Sequence, residues 1–283
     1  SATQVNAANR IAGLGDVDLF SALVDATGAI FVYASKLDNV TSDPSYVPST
    51  LVARTQQWID GVGAVPGAGG TFFRSNLSIT NRNASPAEVA IDYVPRGSGV
   101  PAATQSITIG AESTRFFQDA VTELFPVVGG AGTFILRTST ATPVVAWART
   151  FNDRDLSGTL GQFIPAFGTE DLIGAQGAIL QGLSESGGFR TNLGIVNVSA
   201  GAAALTVEVW SRDGVKIGEK TYHVGAGQTA FIGRVMLDVS GRQDISDAYL
   251  RLKASTSNAL YAWASYVDNR STDQTFVRPL PIE

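Results

Sequence analysis

The chain repeats itself at an interval of 116 residues. Residues 73–81 read FRSNLSITN and residues 189–197 read FRTNLGIVN, with six of the nine positions identical. Elsewhere in the interval, apolar positions match apolar positions, as a shared core requires. A fixed period constrains the fold strongly because each copy must form one structural unit. The sequence therefore predicts tandem copies of one module.

A third copy is represented only by its second half. Residues 33–39, YASKLDN, parallel residues 263–269, WASYVDN, which lie 230 positions later. The front of this copy, with its own FRxNLxIxN segment, would precede residue 1. We therefore expect a partial repeat in residues 1–50, a first full repeat in residues 51–167 and a second full repeat in residues 168–283.

The pattern within each full repeat favours β-structure. Short alternating segments rich in β-branched and aromatic residues are separated by Gly, Pro, Asn and Asp every 8–12 residues. This is typical of an antiparallel β-sandwich. We expect an all-β fold of tandem antiparallel β-sandwiches with one short helix per full repeat. The inward-facing positions should be Leu77, Ile79, Val89, Ile91, Phe134 and Leu136, together with their partners 116 residues later.

Local signals predict individual elements of the full repeats. Asp119 should cap a short helix through Leu124, because its carboxylate can accept free backbone amides. Residues 133–138 and 144–151 should pair as a hairpin. The turn sequence Arg-Asp-Gly at residues 212–214 should close another hairpin.

The partial repeat has its own expected elements. The pattern predicts a weak helix at residues 5–14 and strands at residues 19–24 and 29–37, with a further short strand ending at Pro48. Trp147, Trp263 and Tyr33 occupy equivalent positions on the alternate side of their strand from the neighbouring alanines. They are either the core aromatic of each repeat or an exposed aromatic row, and we expect the core position.

Composition excludes several classes of protein. The net charge of −5, the pI of about 5.0 and the 16% of charged residues argue against a nucleic-acid surface. No apolar run is long enough for a transmembrane helix. The absence of cysteine excludes disulfides and thiolate metal sites. Because the first residue is Ser1 rather than Met, we expect a processed protein that is secreted or surface-exposed, with a trimmed cytoplasmic protein as the alternative.

Catalytic signals are sparse. His223 is the only histidine, and we expect a structural strand residue. Alternation along its strand favours a position facing away from the core, whereas the 116-residue offset pairs it with Ile107 and favours the inner face unless the register slips to Thr108. The acids do not form an obvious pair of the kind glycosidases use. The glutamates considered for such a pair are scattered along the sequence at Glu112, Glu123, Glu185, Glu208 and Glu219. Phosphate-binding, HExxH and GxSxG motifs are absent. We therefore predict a protein that is not an enzyme and needs no cofactor.

Two equivalent loops carry closely spaced oxygen ligands. Residues 38–43 read DNVTSD and residues 268–273 read DNRSTD, while residues 152–157 of the first full repeat read NDRDLS. The carboxylates at the loop ends could ligate Ca²⁺, or they could bond their own backbone as Asx-turns. We prefer the Asx-turns. The candidate metal ligands are Asp38, Asp43, Asp268 and Asp273.

The repeated motif also carries Arg74 and Arg190. Each could contact a ligand on an exposed sheet face, or could bond a loop carbonyl or carboxylate within its own repeat. Because both copies retain the arginine, we expect the structural role. Five Asn-x-Ser/Thr sequons have meaning only in a glycosylating host. They lie at Asn39, Asn76, Asn83, Asn197 and Asn269.

Two segments of the second full repeat resemble a known family of modules. They are residues 189–197, FRTNLGIVN, and residues 262–279, AWASYVDNRSTDQTFVRP. The chain resembles the tandem immunoglobulin-like β-sandwich modules of large secreted bacterial proteins, over most of its length from about residue 55 onward. The resemblance implies secretion and a non-catalytic structural or accessory role, and it implies no catalytic residues. In those proteins the modules often accompany enzymatic domains, and none is evident here.

The partial repeat leads to the functional hypothesis. Its three expected strands cannot close a sandwich, and their open edges would pair with another segment. It could belong to a longer array, dock on the first full repeat as a cap, or receive strands from a neighbouring subunit in a head-to-tail filament. We hypothesise a non-catalytic extracellular structural protein that self-associates head to tail. The alternative is carbohydrate binding by exposed Trp58, Trp210 and Tyr261.

Overall fold

A computed structural model describes most of the chain. The described residues are 22, 24, 26–49, 52–67, 70–125, 130–153 and 158–282, with the backbone alone at Asp153. The chain divides into two compact units, Ser1–Val32 and Tyr33–Glu283. The expected helix at residues 5–14 lies outside the described residues, as does the strand at 19–24 apart from Ala22 and Val24. The following description concerns the unit Tyr33–Glu283.

The first full repeat forms an antiparallel sheet system that folds over on itself. Its eight strands have the order β10-β9-β4-β3-β8-β5-β6, with β7 paired to β4. The long strand β3 joins the two halves because its first part pairs with β8 and its end, Val65 and Pro66, pairs with β4. The elements are β3 (Gln56–Pro66), β4 (Phe72–Asn81), β5 (Ala87–Pro95), β6 (Ala103–Ile109), β7 (Ser113–Phe117), α1 (Ala120–Leu124), β8 (Gly130–Arg137), β9 (Val144–Asp153) and β10 (Thr159–Pro165).

The second full repeat forms two separate sheets. One has the order β14-β13-β16-β11-β19, and the other has the order β15-β12-β17-β18. A 3₁₀ turn at Thr169–Asp171 precedes them. The elements are β11 (Ala178–Glu185), β12 (Phe189–Asn197), β13 (Ala203–Trp210), β14 (Lys216–Val224), β15 (Thr229–Ile232), α2 (Val235–Ser240), β16 (Ile245–Ala254), β17 (Leu260–Asp268), β18 (Gln274–Val277) and β19 (Leu280–Pro281).

Strand pairing in the two repeats corresponds element by element. Strand β4 pairs with β7 and β9 as β12 pairs with β15 and β17.

The expected all-β sandwich is confirmed. The hairpin expected for residues 133–138 and 144–151 is wrong, because β8 pairs with β3 and β5 whereas β9 pairs with β4 and β10. Their connection crosses between the two sheet halves. The hairpin around residues 212–214 is confirmed by the pairing of β13 with β14.

Each full repeat has its own core. All twelve positions predicted to face inward are at most 1% exposed. These residues are Leu77, Ile79, Val89, Ile91, Phe134, Leu136, Leu193, Ile195, Leu205, Val207, Leu250 and Leu252. The short helix of each repeat contributes further side chains, Val121 from α1 and Met236 from α2. Alternation along each strand is therefore sufficient to fix which face is buried.

The last residue of the repeated motif explains why it recurs. The Asn197 side-chain amide donates to the carbonyls of Gly201, Val224 and Gly225 at 2.8–3.0 Å. Asn81 does the same with Ser85, Ile109 and Gly110. Both asparagines are at most 1% exposed. One buried amide thus ties the end of the motif strand to two loops, which satisfies carbonyls that would otherwise be costly to bury.

The helix cap differs from the prediction. Asp119 precedes α1, but its side chain makes no capping hydrogen bond. Its carboxylate instead pairs with Arg74. The amides of Gln118 and Asp119 donate to the Glu123 carboxylate, at 2.9 and 2.8 Å. The predicted cap is wrong because the repeated arginine competes for the same carboxylate. That pairing agrees with the structural role expected for Arg74, and Arg190 likewise donates to Asn269 within its own repeat at 2.6 Å.

We expect Asn197→Ala to destabilise the second full repeat by about 2–4 kcal/mol, because three carbonyls lose their donor in a buried setting. Denaturant unfolding followed by circular dichroism measures this loss. The matched control is Asn39→Ala at an exposed position, for which a change within about 0.5 kcal/mol is expected. Equal effects from the two substitutions would contradict the structural role of Asn197.

Candidate functional site

The residues with catalytic potential are dispersed. His223 is exposed and faces away from the core because Tyr222 and Val224 point inward, which is the orientation that alternation favoured over the 116-residue offset. Glu185 is fully buried and pairs with Arg234 at 2.6 Å. Glu208 accepts from Lys253 at 2.8 Å. Among the described residues, no group of three or more His, Cys, Asp or Glu could hold a metal ion, and no helix is long and apolar enough to span a membrane.

The two aspartate loops form Asx-turns of identical construction. Asp38 Oδ1 accepts the amides of Val40 and Thr41, and Asp268 Oδ1 accepts those of Arg270 and Ser271. In each loop the first aspartate amide donates to the carbonyl of the last aspartate, Asp43 or Asp273, at 3.0 Å. Turn chemistry therefore accounts for the recurrence of these residues. Calcium binding by Asp38, Asp43, Asp268 and Asp273 stays a prediction.

The hairpin of the partial repeat packs on the first full repeat. Strands β1 (Tyr33–Leu37) and β2 (Pro44–Pro48) pair with each other. Arg149 in β9 donates to Asp43 at 2.7 Å and to Ser45 at 2.8 Å. Both partners of the Arg149–Asp43 ion pair are nearly enclosed, with side-chain exposures of 10% and 3%. This hairpin, residues 33–48, is called the N-terminal hairpin below. For residues 33–48 alone, these contacts are of the kind expected for docking on the first full repeat, which was one of three possibilities.

Four further hydrogen bonds complete this attachment. Asp38 Oδ2 accepts the amide and the hydroxyl of Thr159, at 2.9 and 2.8 Å, and the Thr41 hydroxyl donates to the Thr159 carbonyl. Asp43 also accepts the amide of Gly161 at 3.0 Å. Six polar donors therefore bond the two carboxylates of one short loop, two amides of the loop itself and four groups of the first full repeat. The four donors to Asp38 keep its pKa below its usual range despite the opposing effect of burial.

A second junction joins the two full repeats, and its centre is the indole of Trp263. This side chain lies on the outer face of β17 and is only 2% exposed. A Cβ added to Gly194 would lie 2.3 Å from the ring, and one added to Gly61 would lie 2.6 Å from it. Gly194 belongs to the neighbouring strand β12, whereas Gly61 belongs to β3 of the other full repeat. The indole therefore occupies a slot that exists only because both positions lack a side chain.

The slot is closed by a buried hydrogen bond. Trp263 Nε1 donates to Asp60 Oδ2 at 2.8 Å, and the Thr133 hydroxyl donates to Asp60 Oδ1 at 2.6 Å. Burial raises the pKa of the Asp60 carboxyl, although these two hydrogen bonds and the charge of Arg96 oppose the rise. Gly61 has a φ of +84°, which turns the β3 bulge between Asp60 and Val62 toward the indole.

Aromatic rings extend the junction on one side. Phe167 stacks between Trp58 and Tyr261, with ring centroids 5.7 and 3.9 Å away. Trp58 and Tyr261 are 7% and 4% exposed. The expectation that these two rings form an exposed carbohydrate platform is therefore wrong, because period-2 alternation cannot indicate what covers an outer face. Trp210 is partly exposed and stacks on Tyr249.

Equivalent aromatic positions have different environments. Trp263 is buried in the junction rather than in a sandwich core, Trp147 is half-buried, and Tyr33 is 58% exposed. The core position expected for all three is therefore wrong. Trp147 packs on Phe163 with a centroid separation of 5.3 Å, the same as that between Trp263 and Phe276.

Charged and polar contacts surround the junction. Arg54 of the first full repeat pairs with Glu170 at 2.5 Å and Asp171 at 2.8 Å. The Arg96 guanidinium lies 4.6 Å from the centre of the Phe231 ring. A cavity of about 140 Å³ lies beside the junction and is lined by both repeats, without an ionisable side chain. It is smaller than the ordinary pocket for a small-molecule substrate.

The two junctions share one geometry. Asn152 Nδ2 donates to the Thr272 hydroxyl across the boundary between the full repeats, at 3.2 Å. By strand pairing, Asn152 is equivalent to Asp38, and Thr272 is equivalent to Thr159. The same two positions therefore meet at both boundaries, with an amide in one case and a carboxylate in the other.

Comparisons with known proteins add no function. No protein-family model and no curated protein matches the chain. It is similar to Bacteroides uniformis beta-glucuronidase 2, covalently bound to cyclophellitol-6-carboxylate aziridine, at 11% identity and a TM-score of 0.16, covering 80% of this chain and 31% of that chain. It is similar to a putative beta-galactosidase from Bacteroides fragilis at 10% identity and a TM-score of 0.16, covering 82% and 40%. This chain spans less than half the length of either, and neither likeness bears on its fold or activity.

We expect Gly61→Ala to cost more stability than Gly182→Ala. Both glycines have positive φ, +84° and +72°, so both substitutions strain the backbone by about 1 kcal/mol. Only at Gly61 would the new Cβ meet Trp263, whereas at Gly182 no atom of the described residues lies within 4 Å of it. The excess should be about 1–3 kcal/mol, measured by urea unfolding monitored by tryptophan fluorescence. Equal costs would mean that the indole does not depend on the slot.

The raised pKa of Asp60 predicts a pH dependence. Since the folded chain holds this proton more tightly than the unfolded chain, stability is greatest below the ordinary carboxyl pKa of about 4 and falls as pH rises through the folded pKa. Asp60→Asn cannot ionise, yet it retains an acceptor for Trp263 and a donor for Thr133. Its unfolding free energy relative to the native chain should therefore rise with pH.

Denaturant unfolding of both chains at several pH values from about 4 to 8 measures this difference. The matched control is Asp213→Asn, whose native side chain is 79% exposed. A difference for Asp60→Asn that varies with pH no more than that of the control would show that the Asp60 carboxyl is not held in a buried site.

Proposed function

We propose that this protein is a non-catalytic, extracellular structural protein whose β-sandwich repeats are fixed to one another in series. The observation that carries the proposal is the junction at Trp263, where one side chain is enclosed by both full repeats and bonded to a buried carboxylate. A junction of this kind makes neighbouring repeats unfold and move together, because repeat-protein stability includes a term for each interface.

The use of the ionisable residues supports this proposal. In the described chain, the most buried acids have structural partners: Glu185 has Arg234, Glu208 has Lys253, Asp43 has Arg149 and Asp60 has Trp263. A hydrolase needs a base beside a nucleophile in a cleft, and exposed His223 does not supply one. Secretion is part of the same proposal, and its support is the resemblance to modules of secreted bacterial proteins.

Carbohydrate binding is the second candidate. One observation favours it: Trp210 and Tyr249 stack at 11° on the outer face of the second full repeat, where Arg251 also lies. Sugar rings bind parallel aromatic faces through apolar contact. The two rings stack on each other, however, and the first full repeat has Val94 and Thr133 at the equivalent positions.

Scanning calorimetry tests the structural proposal with a pair of tryptophan variants. The native unit should unfold in one transition involving both full repeats. Trp263→Ala should split this transition in two, because it removes the side chain that both repeats enclose. Trp210→Ala is the matched control outside the junction and should retain one transition.

Two separate transitions in the native chain would overturn the proposal. The same two variants distinguish the second candidate when they are applied to immobilised glycans and chromogenic glycosides. Retention on a glycan that Trp210→Ala abolishes and Trp263→Ala preserves would establish carbohydrate binding instead. Turnover of a glycoside would contradict the non-catalytic assignment.

A further inference from the structure

A small cavity lies between the two full repeats, and both of them supply its walls. Its volume is about 140 Å³. The buried walls include Trp58 and Val94 from the first full repeat and Val196 from the second. Ile135 of the first full repeat and Val198 of the second, which are partly buried, continue the apolar lining. This space is called the junction cavity below, and most of its lining is apolar.

Loops of the two full repeats meet in close backbone contact beside the junction cavity. A Cβ added to Gly99 would lie 2.3 Å from the carbonyl oxygen of Ala226, and one added to Gly227 would lie 2.6 Å from that of Gly99. The Gly97 amide also donates to the Thr229 carbonyl at 3.2 Å. Gly99, Gly227 and Thr229 all line the cavity. These contacts fix the spacing of its walls, and a site formed in advance costs less to occupy.

The polar side chains that line the junction cavity mostly have partners already. The Thr133 hydroxyl donates to Asp60 at 2.6 Å. The Asn197 amide donates to carbonyls of its own repeat, and its side-chain oxygen accepts the Ser199 amide. None of the described residues that line the cavity is ionisable. Because a buried water needs two to four polar partners and a buried ion needs a counter-charge, the lining favours an uncharged, mainly apolar occupant.

Two polar groups at the junction cavity have no partner. Within the described part of the chain, neither the Trp58 indole N–H nor the Gln56 side-chain amide takes part in a hydrogen bond. Trp58 is only 7% exposed, and a buried indole N–H usually has an acceptor. Gln56 is exposed, so its amide can meet a polar group of an occupant from the solvent side. An occupant with one acceptor on an apolar body therefore matches the lining.

We propose that the junction cavity binds a small uncharged molecule consisting of one apolar ring with a hydrogen-bond acceptor, such as a phenol. An apolar cavity of about 150 Å³ accommodates benzene, so the volume here suits a single ring. The Trp58 N–H donates to the acceptor of the ligand. This ligand site goes beyond the structural function. Because both full repeats form the walls, an occupant also stabilises their relative position.

Fluorine NMR with 4-fluorophenol tests the site on the full-length native chain. We expect the probe signal to broaden when the chain is added, with saturable binding and a dissociation constant of about 1 mM or lower. Two probes of similar size serve as comparisons. 4-Fluorotoluene lacks the acceptor and should bind about threefold more weakly or worse. 4-Fluorobenzoate is charged and should not bind, because the lining offers no counter-charge.

Variants that fill the junction cavity locate the binding. Val198→Phe adds a ring from the wall of the second full repeat, and Ile135→Phe does so from the first. Each should weaken 4-fluorophenol binding about tenfold or more. Val215→Phe is the matched control, since it makes the same change at a position that is 62% exposed and outside the cavity lining, and it should keep the native affinity. Circular dichroism checks the fold of each variant, and two filling variants are made so that a folding failure of one leaves the other.

A measurement without substitutions gives an independent location. Nuclear Overhauser transfer is expected from the bound ring of 4-fluorophenol to the methyl groups of Val94, Val196 and Val198, because these side chains line the junction cavity. Transfer only to methyl groups elsewhere in the chain would overturn the assignment.

Three further results would overturn the proposal. They are no binding of 4-fluorophenol up to about 10 mM, unchanged binding in a folded filling variant, and equal binding of 4-fluorobenzoate. Equal binding of 4-fluorotoluene would overturn the assigned acceptor. The structural function is judged separately, by the number of calorimetric transitions. One native transition without ligand binding leaves that function standing, whereas two native transitions together with binding that Val198→Phe blocks would refute it and leave the ligand site.

Discussion

The fixed relation between the two full repeats depends on how Trp263 fits between Gly194 and Gly61. An indole is among the largest apolar groups a protein can bury, and here it is enclosed although it lies outside both sandwich cores. The cost of burying the Asp60 carboxyl is offset by donors from Thr133 and Trp263 itself. Apolar burial and a satisfied polar group therefore coincide at one point, which fixes both the separation and the rotation of the repeats.

Much of the surrounding chemistry serves this arrangement rather than a reaction. Arg74, Arg149 and Arg234 each have a carboxylate partner, and each partner belongs to a loop or strand that must be held in place. Breaking a buried pair of this kind leaves an uncompensated charge, so such residues specify one geometry even where their net contribution to stability is small. Residues that recur between the copies therefore have structural roles here. Asn81 and Asn197 are a further example, because the side-chain amide of each donates to loop carbonyls of its own repeat.

The sequence was sufficient for the repeat, the strand positions and the core, because alternation and a fixed period report directly on a shared buried face. It was not sufficient for the connection between β8 and β9, since a short turn-like segment looks the same whether it closes a hairpin or crosses between sheets. The junction was missed for a different reason. Gly61 and Gly182 occupy equivalent bulges of β3 and β11, but they are offset by 121 residues rather than 116. The fixed period therefore does not pair them, because the loops between them differ in length.

The two junctions also explain why equivalent residues have different exposures. A position on the outer face of a sandwich is defined by its strand, but its environment is defined by the repeat that precedes it. Trp263 is covered by β3 of the first full repeat, whereas only the N-terminal hairpin of the partial repeat is described near Trp147. The contact between Asp38 and Thr159 survives at the other boundary as that between Asn152 and Thr272, although a carboxylate has become an amide. Backbone geometry rather than charge therefore sets where the repeats meet, and charge determines how tightly each boundary is held.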